Sequence, residues 1–235
     1  MSPFLGEFIG TALLIIMGGG VVANVVLSKT KGQNSGWIVI TFGWAMAVFL
    51  GVYASNSLGG SGHLNPAVTI GLAAFGDFDT SLLPTYLAAQ FGGAFTGAII
   101  VWVAYKQHFD ETENKDLKLA VFSTAPAIRN PLHNLLTEVI GTFVLLFGAL
   151  TMSKSAATLG ALDALPVALL VLGIGLSLGG PTGYAINPAR DLGPRIAHFI
   201  LPIKNKRDSD WGYSWIPVVG PVIGGILAAY IFKIL

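Results

Sequence analysis

The second half of this chain repeats the first, and each half carries three apolar runs long enough to cross a bilayer. Residues 5–20 read LGEFIGTALLIIMGGG and residues 136–151 read LTEVIGTFVLLFGALT, so Glu-x-Ile-Gly-Thr recurs with Glu7 matching Glu138. Further along, GGSGHLNPAVTIGL (59–72) parallels GPTGYAINPARDLG (180–193). An odd number of spans per copy sends the second copy into the membrane upside down. This is the inverted repeat, in which sites form at mid-membrane between the copies. The sequence therefore predicts one domain over 1–235, with repeats at about 1–120 and 130–235 and a polar linker at about 106–131.

About 20 apolar residues span a bilayer as a helix. Six windows qualify, roughly 4–27, 36–56, 82–105, 133–152, 162–181 and 212–234. Windows 36–56 and 82–105 hold no charged residue; the first holds only Glu7 and the fourth only Glu138. Only 11% of the 235 residues are charged, too few to cover a water-soluble domain of this size. The first run begins almost at Met1 and reads as a retained span rather than a cleaved leader. A net charge of +1 gives no electrostatic case for nucleic acid. The absence of cysteine excludes thiol redox chemistry and thiolate metal sites. No Ser-His-acid, Cys-His or metal-ligand constellation appears, so no catalytic residue, cofactor or metal is assigned and the chain is not expected to be an enzyme.

Asn65-Pro66-Ala67 and Asn187-Pro188-Ala189 each precede about ten mostly apolar residues, too few to span. Asn caps helices well and Pro suits the first turn, so each motif should start a half-helix. The inverted repeat brings the two N-termini together at mid-membrane. Non-helical backbone at that depth must be buried or line a watery cavity. Segments 59–64 and 181–186 should therefore face the cavity with backbone groups, notably at Ser61, Gly62, His63, Gly183 and Ala185. Two positive helix ends and the amides of Asn65 and Asn187 would repel cations there while holding hydroxyl oxygens.

With both motifs in place, as HLNPAVT (63–69) and NPARDLGP (187–194), the chain resembles the major intrinsic protein family of aquaporins and glycerol facilitators over nearly its whole length. The resemblance implies an all-α membrane protein of six transmembrane helices plus two re-entrant half-helices. It also implies a homotetramer with one pore per protomer, in a plasma membrane. Glu7, Glu138 and Asp191 would brace the loops. Arg190 would form the narrow filter, with Tyr184 as an aromatic wall, and Asp191 after it resembles the glycerol branch. Gly175 stands where water-selective members carry His, which leaves room for a carbon backbone. The second-span filter position falls on Ile40, with Trp44 one turn away on the same face. An Ile40 wall would widen the filter toward protonated lactic acid or dihydroxyacetone.

The implied reading is a passive channel for glycerol, related polyols and water that excludes ions and protons. Two alternatives stay open: a proton-coupled secondary transporter using Glu7 and Glu138, since intramembrane carboxylates are functional by default, and a water-selective channel. His63 reads as a loop-bracing side chain or a gate. His133 and His198 read as interfacial, the Lys204–Asp210 run as a solvated loop, and Trp211, Tyr213 and Trp215 as an aromatic belt. The resemblance puts the termini inside, with Lys154 and Lys233. That leaves most basic residues, from Lys29 to Arg207, outside, the reverse of the positive-inside rule.

Overall fold

Prolines mark where the helices begin. The missing N–H costs nothing in a first turn, and proline occupies that turn in six of the helices with described caps. The computed structural model describes residues 1–75, 78–153 and 160–235; Lys154 lies outside them. In chain order the helices are α1 (Pro3–Val26), α2 (Trp37–Ser57), α3 (Pro66–Ala74), α4 (Leu83–Ala104), α5 (Lys106–Glu111), α6 (Lys115–Ala120), α7 (Pro131–Ser153), α8 (Leu165–Leu178), α9 (Pro188–Ile200) and α10 (Ile216–Ile234). Among the described residues, five helices are long and apolar enough to cross a membrane. The fifth span in sequence order, α8, has 14 residues, shorter than its window. A tight turn at Gly160–Leu162 precedes it, and Gly179, Gly180 and Pro181 end it. The half-helices are α3, with 9 residues, and α9, with 13.

The repeats interlock. Helix α1 packs on α2 and α4, and α7 packs on α8 and α10. Each half-helix also crosses to the other repeat, α3 onto α10 and α9 onto α4. Glycines set the closest approaches, because bilayer helices gain association energy mainly from tight packing. Gly93 and Gly97 face α1, and Gly220 and Gly224 face α7. An added Cβ at Gly97 would sit 2.6 Å from the Ala12 carbonyl oxygen, and one at Gly93 would overlap that of Phe8. Both Gly-x-x-x-Gly pairs thus serve packing within one chain. Gly93→Ala is expected to destabilise by about 1–3 kcal/mol, the usual cost of overpacking. Thermal unfolding in detergent measures this, and an unchanged melting point would refute the packing role.

The linker at 106–131 contains α5 and α6. Its own Phe109 and Phe122 are buried. The His108 ring bonds the Ser28 carbonyl at 3.0 Å, and the Lys118 ammonium donates to the Lys204 carbonyl at 2.5 Å. The Lys204–Asp210 run is the expected solvated loop only in part: Lys204, Asn205 and Asp208 are exposed. Ser209 and Asp210 are buried, Arg207 pairs with Asp116, and Lys206 donates to three carbonyls at the end of α9. A cation suits a helix C-terminus, and partial burial lowers the Lys206 pKa from the usual lysine value. His198 is buried rather than interfacial, bonded to the Ser209 hydroxyl at 2.8 Å, whereas His133 is exposed. Trp211 and Trp215 are exposed as a belt requires, but Tyr213 is buried.

Candidate functional site

The two re-entrant segments share one backbone design. Leu64 and Ile186, the residues before each Asn, have φ of 52° and 43°. Two residues earlier, Gly62 and Tyr184 have φ of 67° and 37°. Left-handed conformations are costly for side chains other than glycine, so something must hold Leu64, Tyr184 and Ile186. Two buried carboxylates meet that need. Glu7 accepts from the N–H groups of Ser61 (3.3 Å), His63 (3.0 Å) and Leu64 (2.8 Å), and from Ser55 Oγ and Gln90 Nε2. Glu138 accepts from Ala185 N (3.0 Å), Ile186 N (2.8 Å) and Thr182 Oγ1 (2.7 Å).

The half-helices meet at their caps. Asn65 Oδ1 accepts from Ala67 N at 2.9 Å, and Asn187 Oδ1 from Ala189 N at 3.0 Å and Arg190 N at 3.2 Å. Each amide also reaches across: Asn65 Nδ2 donates to the Ile186 carbonyl and Asn187 Nδ2 to the Leu64 carbonyl, both at 2.8 Å. This reciprocal clasp was not anticipated from the sequence, because its partners lie in opposite repeats. Each amide has a second N–H.

A cavity of about 400 Å³ runs past both caps. Its borders include Asn65, Asn187, Arg190, Tyr184 and Trp44, and the segment Ser61–His63. The rest of the border is largely apolar, including Val48, Val52, Val68, Leu145, Val167 and Val171. Ala185 also borders the cavity; Gly183, Glu7, Glu138 and Asp191 do not.

Of the two second-span candidates, Trp44 meets Arg190, whose guanidinium carbon lies 4.2 Å from the Trp44 ring centroid. Ile40 packs against the hydrophobic core and does not border the cavity. The register follows from Gly18 of α1, which lies under the Trp44 ring and has no room for a Cβ. Among the described residues no acceptor is bonded to the Arg190 guanidinium, so its N–H groups are available to a solute. Gly175 lies behind the cavity wall. A Cβ there would sit 2.9 Å from Tyr184 Cζ, so the space it opens is taken by the Tyr184 ring.

Asp191 turns away from the cavity. Its Oδ2 accepts from the Thr124 N–H and hydroxyl, both at 2.7 Å, and its Oδ1 pairs with Arg195 at 2.7 Å. Arg195 is fully buried and also donates to the carbonyls of Thr124 and Ser209. Arg195 was not singled out from the sequence; its spacing of four from Asp191 on a helix is the signal that would have found this pair. His63 borders the cavity, its Nδ1 lies 3.1 Å from Thr69 Oγ1, and its ring packs on Phe78 and Tyr86.

An inverted repeat of apolar helices, with two capped half-helices abutting beside a cavity of mixed polar and apolar border, defines a multi-pass membrane channel. Residues 1–232 match the family model described as Major intrinsic protein, and the chain belongs to that family, whose glycerol facilitators are channels rather than enzymes. It is 60% identical to a probable glycerol uptake facilitator protein of Thermotoga maritima, over 99% of both chains. It is 53% identical to a glycerol uptake facilitator protein of Streptococcus pneumoniae, covering 100% of this chain and 99% of that one. Among solved structures, the aquaglyceroporin from Plasmodium falciparum aligns with a TM-score of 0.86 at 33% identity, covering 98% of this chain and 94% of that one.

Proposed function

We propose that this protein is a passive channel for glycerol and related small polyols, with water as co-permeant, in a bacterial plasma membrane. The observation that carries the reading is the mixed apolar and polar border of the cavity. A polyol presents both carbons and hydroxyls, which suits a cavity bordered by valines and leucines together with Arg190, Asn65 and Asn187. The names of the most similar relatives point the same way. In this reading Asn65 and Asn187 form the pore centre, and their helix N-termini disfavour cations and protons. Arg190, Tyr184 and Trp44 form the filter, with Gly175 behind it, and Trp44 replaces Ile40. Carbonyls of the re-entrant segments line the path, and Glu7, Glu138 and Asp191 brace it. Protomers assemble as homotetramers with termini inside.

With Trp44 against Arg190, the wide-filter argument for protonated lactic acid and dihydroxyacetone no longer applies, and they rank behind glycerol. The transporter reading loses support because Glu7 and Glu138 are occupied by donors and do not border the cavity. Stopped-flow light scattering on proteoliposomes tests the proposal. Glycerol re-swelling should run well above that of empty liposomes, scale linearly with the gradient, and ignore an imposed pH gradient. Water flow without glycerol entry would instead make this a water-selective channel, and flux driven by the pH gradient would restore the transporter.

A further inference from the structure

Trp37 opens α2 directly after Gly36, whose φ of 97° is a backbone turn that glycine adopts freely. The indole then reaches across to the far end of α8. Its Nε1 donates to the Gly175 carbonyl at 3.0 Å. Its ring meets the Tyr184 ring edge-on, with centroids 5.8 Å apart and planes at 79°. On the helix side, a Cβ on Gly179 would fall 2.6 Å from Tyr184 Cδ1 and 2.8 Å from Trp37 Cζ2. The Tyr184 ring is therefore held between a glycine face of α8 and the edge of one indole. Trp37 does not border the cavity, whereas Tyr184 does. Trp37 is also 42% exposed, so removing it opens space on the outer side of Tyr184.

We propose that Trp37 is a positioning residue for solute selectivity: it fixes the Tyr184 ring against Gly175 and so sets the aperture that Tyr184 shares with Arg190 and Trp44. The inference rests on the polyol-channel reading. Without the indole, Tyr184 can lean outward and the aperture relaxes. Solutes that fit loosely gain little from this, and solutes one carbon larger gain most. The readout is therefore a ratio, since a purely structural lesion lowers all fluxes together.

The experiment measures glycerol and erythritol entry into the same proteoliposomes. Wild-type glycerol entry tests the channel reading by itself. Trp37→Ala should raise the erythritol-to-glycerol ratio by roughly two- to tenfold, the range an aromatic edge contact controls. Trp37→Phe, which lacks the indole N–H and part of the ring, should give a smaller rise in the same direction. Folded Trp37→Ala with a wild-type ratio, including both fluxes falling in parallel, overturns the proposal. Where Trp37→Ala does not fold, an unchanged ratio in Trp37→Phe overturns it. If wild type passes water but no glycerol, the polyol reading fails. Glycerol entry appearing in Trp37→Ala would then still support the role of Trp37, and continued exclusion would reject it.

Discussion

Glu7→Leu is expected to abolish most recovery of folded protein. Leucine fills a similar volume but accepts no hydrogen bond. The N–H groups of His63 and Leu64, now 3.0 and 2.8 Å from carboxylate oxygens, would be buried without partners. At about 1–3 kcal/mol for each orphaned buried donor, these two alone cost about 2–6 kcal/mol. Total stabilities run at about 5–15 kcal/mol, so the loss is a large share. The left-handed Leu64 would also lose the bond that holds it. Glu7→Gln keeps one good acceptor oxygen and should fall between wild type and Glu7→Leu. Thermal unfolding of detergent-purified protein ranks the three, and a wild-type melting point for Glu7→Leu would mean that the first re-entrant segment is held by something else. The corresponding change at Glu138 should act in the same direction, because Ala185 and Ile186 depend on it in the same way.

Arg190→Ala should keep a pore and lose discrimination. The side chain is 8% exposed, borders the cavity, and has only the Trp44 face as a close described partner. Its removal takes away a fork of up to five donors and, among the described residues, the only Lys or Arg on the cavity border. Hydrogen bonds to charged groups are worth about 1.5–3 kcal/mol, which converts to roughly ten- to hundredfold in relative permeation. Proton leak under an imposed pH gradient should therefore rise against glycerol flux, and erythritol should gain on glycerol. A folded Arg190→Ala channel with the wild-type order of solutes and no added leak would remove Arg190 from the filter.

These two residues differ in how legible they were. Glu7 stood out because it recurs as Glu138 in an otherwise apolar run, and because a buried carboxylate needs donors. The nearest unpaired donors were bound to be those of the re-entrant backbone. Arg190 was legible only through the family resemblance, and its neighbour on α2 was narrowed only to Ile40 or Trp44. Ile40 and Trp44 share a helix face one turn apart, so pattern alone could not choose between them. The choice came from Gly18 on α1, which admits the Trp44 ring. His198 was misplaced for a similar reason: its position near a helix end suggested an interface, but the 201–210 segment folds back over it.

The sequence by itself determined the long apolar helices, the two Asn-capped half-helices with their proline starts, and the inverted duplication. Each depends on residues close along the chain or on a pattern that repeats. Only the tertiary structure decided which side chains meet across repeats: the Asn65–Ile186 and Asn187–Leu64 clasp, Trp44 over Arg190, and Trp37 behind Tyr184. Those contacts depend on how helices far apart in sequence rotate against one another. In this protein that rotation is set by close packing at glycines, whose partners no local pattern names.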